Sequence, residues 1–482
     1  MTDESLTTFS TTRLTELIRR REVSPVEVVR AHLERIERLN PSLNAVVTVA
    51  PDALERAREA ESALMSGGPT GSLCGVPLTV KDTIEVRGLR ATSGSKAREG
   101  YVPEGDAPAA ARLRAAGAII LGKTNASELA LDYTTDNLVF GRTNNPHDSS
   151  RTPGGSSGGC AAAVAAGLSA GSLGSDLAGS VRIPAHFCGV AGLKPTAGRV
   201  EGAGHFPVLG GAYALGASLG ALARGVEDLS LLFEVLSGGT YRHETDGWDE
   251  PLRGEKILPD GAVVAFYTDD GVVQVGEELR EAVIRAATAL REVGLEVIEE
   301  RPPFVERATE MWMKLFSHAT RRMVSAAYAG REDEAGPVAR AILKRASREE
   351  TPALDAFMDA WDERDRLRAS LLLWMKGRPL IVAPVGALVA FGHEEGRRFT
   401  VGGQELGLFD AFGPAQAFNV FDLPVVCVPA GKTKEGLPVG VQIVGRPFEE
   451  WRVLRAARIV EAALGGRVSA PGTLPNMGPN PI

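Results

Sequence analysis

The sequence predicts an α/β layered fold with a central, largely buried sheet. From about residue 75 onward, short apolar runs alternate with helical patterns. Residues 76–80 and 118–121 have the apolar character of buried strands, whereas residues 108–116 and 160–168 have the pattern of helices between strands. This alternation is typical of layered α/β proteins, in which helices cover a buried sheet.

Residues 1–70 are predicted to form a helical arm that packs on the main body. Ser24 and Glu27 make a capping box around a proline at the first helical position, which is a strong start signal. Apolar residues then recur at helical spacing up to Asn40, and the proline after it is expected to end the helix. A second helix is predicted over residues 51–65.

The second half of the chain is expected to complete the same α/β domain. A polar, glycine-rich stretch without periodicity predicts a linker or loop over residues 237–261. Residues 262–482 then form the C-terminal part, which begins with a strand–helix–strand unit. Residues 304–376 are predominantly helical and are expected on the substrate side. Further strands and a closing helix are predicted at residues 380–382, 425–428, 439–444 and 449–464.

The composition excludes several classes of function. The chain has 482 residues, of which 44% are hydrophobic and 24% are charged, and its formal net charge is -8. This charge argues against nucleic-acid binding, which needs a basic surface. No run approaches the ~20 apolar residues of a membrane span, and the acidic N-terminus lacks the pattern of a signal peptide. We therefore expect a cytoplasmic protein without membrane or nucleic-acid partners.

The cysteines and histidines do not suggest a metal site. The four cysteines are widely scattered and form no C-x-x-C pair, so neither a zinc site nor a disulfide framework is expected. They are predicted to be small buried hydrophobic residues. The sequence also lacks an H-E-x-x-H pattern, so no metal is predicted in the site.

Two motif matches and one histidine are expected to be unrelated to catalysis. Residues 117–124 match the P-loop pattern, but residues 118–121, which should form the phosphate loop, look like the buried strand itself. Residues 93–96 match the S-x-x-K pattern of penicillin-recognising enzymes, but we interpret them as a surface turn. His186 lies near Ser180 in the sequence, and we interpret it as a core or supporting histidine.

Two glycine-rich segments carry the pattern of an acyl-transfer site. Residues 154–159 read Gly-Gly-Ser-Ser-Gly-Gly, and residues 176–182 read Asp-Leu-Ala-Gly-Ser-Val-Arg. They place Ser156 and Ser180 on backbone in which glycine permits positive φ and close approach. A serine beside bare N–H groups supplies both a nucleophile and donors for an oxyanion.

A serine nucleophile needs an adjacent base, and Lys81 is the candidate. It directly follows the apolar run 76–80, so its side chain would emerge at the end of a buried strand, where α/β folds place their sites. Burial and neighbouring positive charge lower the pKa of a lysine, which lets it act as a base. Taken alone, Lys81 is more simply explained as an ion-pair partner of Asp82 or another carboxylate, and this alternative stays open.

A wider pattern is carried by short segments that occur in order: residues 80–82, 121–125, 153–159, 174–184, 187–190, 194–196 and 436–442. Together they resemble the amidase signature family. The resemblance covers essentially the whole chain but is weak over residues 237–378. It implies a single large domain with a central mixed β-sheet covered by helices on both faces, and residues 71–236 would be its signature core.

The resemblance implies the roles of three side chains. Ser180 would be the nucleophile, Lys81 the base, and Ser156 a proton relay between them. In this family the relay serine follows a cis peptide bond, which here would join Gly155 to Ser156.

The resemblance also implies the groups around the nucleophile. Ser157 would hydrogen-bond within the site, and Asp176 and Arg182 would pair to hold the shape of the turn. The oxyanion hole would consist of the backbone N–H groups of Leu177, Ala178, Gly179 and Ser180.

The implied activity is hydrolysis of a carboxylic amide bond through an acyl-enzyme on Ser180, without a cofactor. The substrate would be a small-molecule amide or carbamate. Assembly into a homodimer is neither implied nor excluded. The glutamine-hydrolysing A subunit of the tRNA-dependent amidotransferase usually carries Gln where this chain has Ile183, which favours small apolar or aryl-containing substrates here. Many members have Gly in place of Ala178. A carbamate or hydrazide hydrolase is the alternative, and an amidotransferase subunit or a non-catalytic binding protein is less favoured.

The residues that line the substrate pocket are not identified by these patterns. The helical region 304–376 contains apolar side chains at helical spacing, which is more typical of core packing than of a pocket. None of them is therefore assigned to the pocket: Met311, Trp312, Met313 and Phe316.

Overall fold

A large mixed sheet forms the centre of the molecule. The computed structural model describes residues 3–68, 70–238, 256–349 and 351–465. The strands in these ranges are β1 (Val46–Val49), β2 (Pro77–Lys81), β3 (Ile119–Thr124), β4 (Gly171–Asp176), β5 (Ala191–Lys194), β6 (Ser218–Ala223), β7 (Val264–Phe266), β8 (Val297–Glu299), β9 (Leu380–Pro384), β10 (Arg398–Val401), β11 (Gln404–Gly407), β12 (Val425–Lys432) and β13 (Pro438–Gly445). Eleven of these strands make one sheet in the order β1-β3-β2-β4-β6-β5-β12-β13-β9-β7-β8, and β10 and β11 form a separate hairpin.

Helices flank this sheet. Among the described residues they are α1 (Asp3–Leu6), α2 (Thr11–Arg19), α3 (Pro25–Leu43), α4 (Ala53–Met65), α5 (Pro108–Ala115), α6 (Gly158–Ala165), α7 (Arg182–Cys188), α8 (Val226–Leu236), α9 (Glu277–Glu292), α10 (Ala308–Ala327), α11 (Pro337–Ala346), α12 (Leu354–Trp374), α13 (Gly413–Val420) and α14 (Glu450–Ala463).

The side chains of the central strands pack on both faces of the sheet. On β12, Val426 and Val428 belong to the hydrophobic cluster that contains α9 and α14, whereas Val425 and Cys427 pack in clusters that contain α7 and α13. Successive side chains of a strand point to opposite faces, so a strand buried on both sides must be apolar throughout. The predicted fold, one domain with a mixed sheet covered by helices, is confirmed.

Helix α3 extends further than its sequence pattern predicts. The expected stop at Asn40 is wrong, because Pro41 lies inside the helix and the last residue is Leu43. A proline so close to the C-terminus removes only one backbone hydrogen bond, and the Asn44 N–H still donates to the Asn40 carbonyl at 2.7 Å. Asn44 then ends the helix in the left-handed region, with φ 52°.

Strands β4 and β6 have no strong apolar pattern in the sequence. Both are fully buried although they consist largely of Gly, Ser and Ala. Small residues let β4 lie close against α6, and a Cβ built on Gly174 would approach the Ser157 hydroxyl to 3.0 Å. Close packing, rather than side-chain volume, therefore accounts for these strands.

The N-terminal region differs from the predicted helical arm in one respect. Strand β1 lies within residues 1–70 and pairs antiparallel with β3 at the edge of the sheet. The Arg35 Nε also donates to the Ala166 carbonyl at 2.6 Å, which joins α3 to the body. Residues 239–255, most of the predicted linker, lie outside the described residues.

The cysteine side chains lie inside the fold. All four cysteines are free and buried, as predicted. Within the described ranges, no helix has the length and apolar character needed to cross a membrane.

Candidate active site

The fold brings together the three segments predicted to carry the site, which are the end of β2, the Gly-Gly-Ser-Ser segment and the segment that begins at Asp176. They meet at the carboxyl ends of the central strands. Strands β2 and β4 are parallel neighbours, with Val80 opposite Leu173. Their carboxyl ends therefore meet, and these ends carry Lys81 and Asp176. Helix α6 begins at Gly158, so the Gly-Gly-Ser-Ser segment that precedes it lies against the same edge.

Lys81 is fully buried and contacts hydroxyl groups. Its Nζ lies 2.6 Å from the Ser156 Oγ and 3.0 Å from the Ser175 Oγ. Burial lowers the pKa of Lys81 to about 8, although Cys160 and Asp176 act in the opposite direction. About a tenth of an amine with this pKa is neutral at pH 7, and a neutral amine can accept a proton from a serine hydroxyl.

Asp82 does not serve as the close ion-pair partner that the simpler interpretation of Lys81 requires. Its carboxylate accepts hydrogen bonds from the Thr92 hydroxyl at 2.6 Å, the Thr92 N–H at 3.3 Å and the Gly94 N–H at 3.1 Å. These bonds direct Asp82 toward the loop that follows β2. The contacts of Lys81 thus favour a proton-accepting role over a structural ion pair.

Ser156 is held by a backbone arrangement that needs glycine beside it. The Gly155–Ser156 peptide bond is cis. A Cβ on Gly155 would lie 2.6 Å from the Asp132 carbonyl oxygen and 2.7 Å from that of Thr134, so a side chain cannot be accommodated there. The Ser157 N–H donates to the Ser180 carbonyl at 3.2 Å and thereby ties the two serine segments together.

Ser180 lies on a tight turn between β4 and α7. It is 8% exposed and lines the same cavity as Ser156. Gly179, just before it, has φ 103°, and a Cβ at this position would lie 2.8 Å from the Ile183 Cδ1. Glycine is therefore required to present the Ser180 hydroxyl to the cavity.

A buried ion pair fixes the shape of this turn. Arg182 donates from Nε and Nη2 to the two oxygens of Asp176, at 3.0 and 2.9 Å, and both side chains are fully buried. Burial alone would raise the pKa of Asp176, but the charge and hydrogen bonds of Arg182 outweigh this effect and hold the pKa well below its usual value. Asn419 adds a bond to Asp176 at 3.0 Å, and Gln442 accepts from Arg182 at 2.6 Å.

The N–H groups of the turn do not all point the same way. Gly179 and Val181 donate their N–H groups to Asp176, at 2.9 and 3.0 Å. The Gly179 N–H is therefore engaged, which corrects its expected place in the oxyanion hole and leaves the other three predicted donors: Leu177, Ala178 and Ser180.

Two aromatic side chains hold the carbonyl groups of the same turn. The Trp312 Nε1 donates to the Leu177 carbonyl at 3.0 Å, and the Tyr133 hydroxyl donates to the Ala178 carbonyl at 2.9 Å. In a trans peptide the C=O and N–H groups point in opposite directions. Fixing the Leu177 carbonyl therefore also fixes the direction of the Ala178 N–H.

Comparison with known proteins identifies the family of this chain. A family model described as Amidase matches residues 27–454. The chain belongs to the amidase signature family. It is 32% identical over 476 residues to the A subunit of the glutamyl-tRNA(Gln) amidotransferase of Sulfurihydrogenibium sp. (strain YO3AOP1), covering 92% of this chain and 95% of that protein.

Solved structures of amidases share the fold. A crystal structure of an amidase is 31% identical, with a TM-score of 0.82, and the match covers 95% of this chain and 100% of that one. A bacterial aryl acylamidase of the amidase signature family is 26% identical, with a TM-score of 0.81, and the match covers 94% of this chain and 96% of that one. The family and fold inferred from the sequence motifs are thus confirmed.

The structure has a cavity of about 460 Å³ beside the two serines. Trp312 and Met313 line it, whereas Met311 and Phe316 are buried in the core, so the core interpretation was right for only two of the four residues. The stacked rings of Tyr133 and Phe409 form part of the wall. Its apolar lining includes Leu129, Leu131, Tyr133, Leu177, Val208, Leu209, Trp312, Met313 and Phe409.

Sequence reasoning missed Ser175 and His205, which extend the contacts of Lys81. The His205 Nε2 lies 2.9 Å from the Ser175 Oγ, and both residues line the cavity. Ser175 could have been noticed as the residue before Asp176, near the start of segment 174–184. His205 gave no signal, because it lies on an irregular loop far along the chain.

The motif matches expected to be unrelated to catalysis have clear structural roles. Residues 119–124 form β3, which confirms that the P-loop match is a strand. The surface-turn interpretation of residues 93–96 is wrong for Ser93 and Ser95, which are fully buried and bond to the Phe206 carbonyl and the Tyr328 hydroxyl.

His186 occupies a structural position in α7. Its Nδ1 accepts from the Gly440 N–H at 2.7 Å, so the proton is on Nε2, which donates to the Leu388 carbonyl at 3.0 Å. Among the residues that the structure describes, no three His, Cys, Asp or Glu side chains form a group that could hold a metal ion.

Proposed function

We propose that this protein is a serine hydrolase that cleaves carboxylic amide bonds of small, apolar or aryl-containing substrates without a partner chain. The observation that carries this proposal is that the buried Lys81 contacts Ser156, and Ser156 lines a largely apolar, partly aromatic cavity. The similarity to a bacterial aryl acylamidase supports the same substrate class.

The proposed reaction begins with proton transfer to Lys81. As the Ser180 Oγ attacks the substrate carbonyl carbon, its proton passes to Ser156, and the Ser156 proton passes to the neutral Lys81 amine. The carbonyl oxygen gains the negative charge and accepts hydrogen bonds from the N–H groups of Leu177, Ala178 and Ser180.

Collapse of the tetrahedral intermediate breaks the C–N bond. The proton held by Lys81 returns through Ser156 to the leaving nitrogen, which departs as a neutral amine. Water then attacks the acyl group on Ser180 by the same proton route, releases the carboxylic acid and restores the serine. Lys81 and Ser156 serve every proton transfer, so the proposed reaction uses no cofactor.

A rapid-quench experiment tests the acyl-enzyme. The protein is mixed with an aryl anilide, quenched in acid and analysed by intact mass and peptide mapping. We expect an adduct with the mass of the acyl group on Ser180 in the wild type, and no adduct in Ser180→Ala. An adduct on another residue would refute the proposed nucleophile.

Hydrolysis of a carbamate or hydrazide uses the same residues and differs only in the atom beside the carbonyl. The two substrate classes are separated by comparing an acyl anilide with the carbamate of the same aniline. A larger kcat/KM for the carbamate would assign the protein to that alternative.

A second candidate is the glutamine-hydrolysing A subunit of an amidotransferase, which the 32% identity to such a protein favours. Ile183 weighs against this candidate. Its apolar side chain is fully buried against the turn, whereas the amidotransferase A subunits usually have Gln at this position. Apolar side chains form most of the cavity wall, which favours an apolar or aryl substrate, although arginine and aspartate side chains line it as well. A non-catalytic binding protein is disfavoured, because Lys81, Ser156 and Ser180 are all retained.

A further inference from the structure

A chain of hydrogen bonds leads from Lys81 to a buried histidine. The Lys81 Nζ lies 3.0 Å from the Ser175 Oγ, and the Ser175 Oγ lies 2.9 Å from the His205 Nε2. The other ring nitrogen of His205, Nδ1, lies 2.6 Å from the Pro207 carbonyl oxygen. His205 is 5% exposed.

The contacts of His205 determine which ring nitrogen carries the proton. A carbonyl oxygen can only accept, so Nδ1 must carry the hydrogen that it donates to Pro207. Burial lowers the pKa of His205 to about 3, so the ring is neutral near neutral pH. Its Nε2 then has a lone pair and accepts the hydrogen of the Ser175 hydroxyl.

This arrangement restricts what Ser175 can do for Lys81. Because the hydrogen of the Ser175 hydroxyl is committed to His205, Ser175 can only accept a hydrogen bond from Lys81. A neutral lysine has two N–H groups and one lone pair. One N–H directed at Ser175 leaves the lone pair available to the Ser156 hydroxyl, 2.6 Å away.

We propose that His205 is a positioning residue that acts through Ser175 to direct the Lys81 lone pair toward Ser156. This inference rests on the proposed function, in which Lys81 is the base. Without His205, the Ser175 hydroxyl is free to rotate and to donate its hydrogen to the Lys81 lone pair. Ser175 then competes with Ser156 for the base.

The backbone keeps His205 in step with Lys81. Ile84, in the loop that follows β2, forms an isolated antiparallel β-bridge with His205. Beside it, the Phe206 N–H donates to the Thr83 carbonyl at 2.8 Å, and the Glu85 N–H donates to the Gly204 carbonyl at 2.8 Å. These bonds lie within four residues of Lys81, so the histidine is registered to the strand that carries the lysine.

Few charged or titratable groups surround the hydrogen bonds that link Lys81, Ser175 and His205. Lys81 and Lys123 face His205, and their charges lower its pKa further. Cys160 and Asp176 face Lys81.

Four variants test the proposal. Three carry one substitution each: His205→Leu, His205→Gln and Ser175→Ala. The fourth is the double variant that combines Ser175→Ala with His205→Leu. We expect His205→Leu to lower kcat by about 10- to 100-fold, which is less than the ~10²–10⁴-fold that a general base contributes in full, with KM changed by less than about twofold. Its acid limb should move to lower pH, because a hydroxyl that donates to neutral Lys81 stabilises the neutral form. His205→Gln, whose Oε1 can accept from Ser175, should recover most of the loss.

The double variant separates positioning from a merely structural role. Once Ser175 is alanine, His205 has no hydroxyl to hold, so adding His205→Leu should change kcat by less than about twofold. Losses that simply add would overturn the proposal, as would a wild-type kcat or an unmoved acid limb in His205→Leu. His32→Leu removes a buried histidine bonded to the Val28 carbonyl in α3 and serves as the control, with kcat expected unchanged.

Failure of the proposed function is detected independently. Wild-type protein is first treated with an aryl sulfonyl fluoride, and labelling of Ser180 is measured by mass spectrometry together with anilide hydrolysis. Absence of both would refute the proposed function, and the inference about His205 with it. Labelling and hydrolysis in the wild type, combined with an unaffected His205→Leu, would overturn the positioning role alone.

Discussion

At the scale of single residues, the burial of Lys81 sets the pH range in which the site can work. Lys81 accepts a proton only when it is neutral, and burial lowers its pKa to about 8. We therefore expect kcat/KM to rise with pH through about 8 and to fall about tenfold for each pH unit below that limb. A pH–rate profile with an uncharged anilide measures this. A limb near ~6.5, the ordinary pKa of histidine, would contradict a lysine base.

Tyr133 allows the oxyanion turn to be tested without touching the proposed catalytic side chains. Tyr133→Phe removes the donor to the Ala178 carbonyl and leaves that buried group unsatisfied, which costs about 1–3 kcal/mol. Because the turn positions the oxyanion donors, we expect kcat to fall about tenfold with little change in KM. Steady-state kinetics measure both constants.

Tyr213→Phe is the matched control for this prediction. Tyr213 also lines the cavity, but its hydroxyl contacts Thr320 rather than the turn. Equal losses of kcat in the two variants would show that the Tyr133 contact with the turn is not the cause.

The residues that the sequence identifies and those found only in the structure differ in a systematic way. Lys81, Ser156 and Ser180 are identifiable because the glycine-rich segments and the strand end have recognisable local patterns. Ser175 and His205 are not, since the loop that carries His205 reaches Lys81 only through contacts between segments about 120 positions apart in the sequence. Such contacts leave no trace in local residue patterns.

At the scale of elements, the junction of β4 and α7 depends on its buried ion pair. Removing one partner of such a pair leaves an uncompensated charge and costs about 3–5 kcal/mol. We expect Arg182→Met to lower the free energy of unfolding by this amount, because Asp176 would lose its counter-charge. Urea denaturation followed by circular dichroism measures the change.

An exposed ion pair provides the comparison for Arg182. Arg13 pairs with Glu16 on the exposed side of α2, and Arg13→Met should change the free energy of unfolding by less than about 1 kcal/mol. Equal effects of the two substitutions would contradict the special role of the buried pair.

The elements also show where sequence patterns lose their power. Strands rich in branched side chains, such as β12 and β13, were predicted because apolar runs indicate buried strands. Strands β4 and β6 were not, because close packing against neighbouring backbone selects Gly, Ser and Ala, which have weak intrinsic preference for strands. Of the two strands that meet at the site, β2 was predicted and β4 was not.

At the scale of the whole molecule, the N-terminal region completes the sheet. β1 covers the edge of β3, and apolar side chains of α2 and α3 belong to the main core. Deletion of residues 1–50 should therefore expose an unpaired strand edge and apolar surface and yield aggregated protein. Size-exclusion chromatography of the truncated chain measures this. A soluble fragment with the wild-type circular dichroism spectrum would contradict it.

At this scale we also propose that one chain is a complete enzyme. The turn, the Lys81–Ser156 pair and the apolar cavity are all built from residues of this chain. A protein that depends on a partner would instead be inactive alone on small amides.

The most direct test is release of aniline from a small acyl anilide by the purified chain, compared with Ser180→Ala. We predict turnover by the wild type without added protein, and a loss of at least about a thousandfold in Ser180→Ala. Turnover retained in Ser180→Ala would contradict the central claim. The central claim would also be contradicted if the protein hydrolysed glutamine but not the anilide, and did so only after a partner chain was added. That result would assign the protein to the amidotransferases.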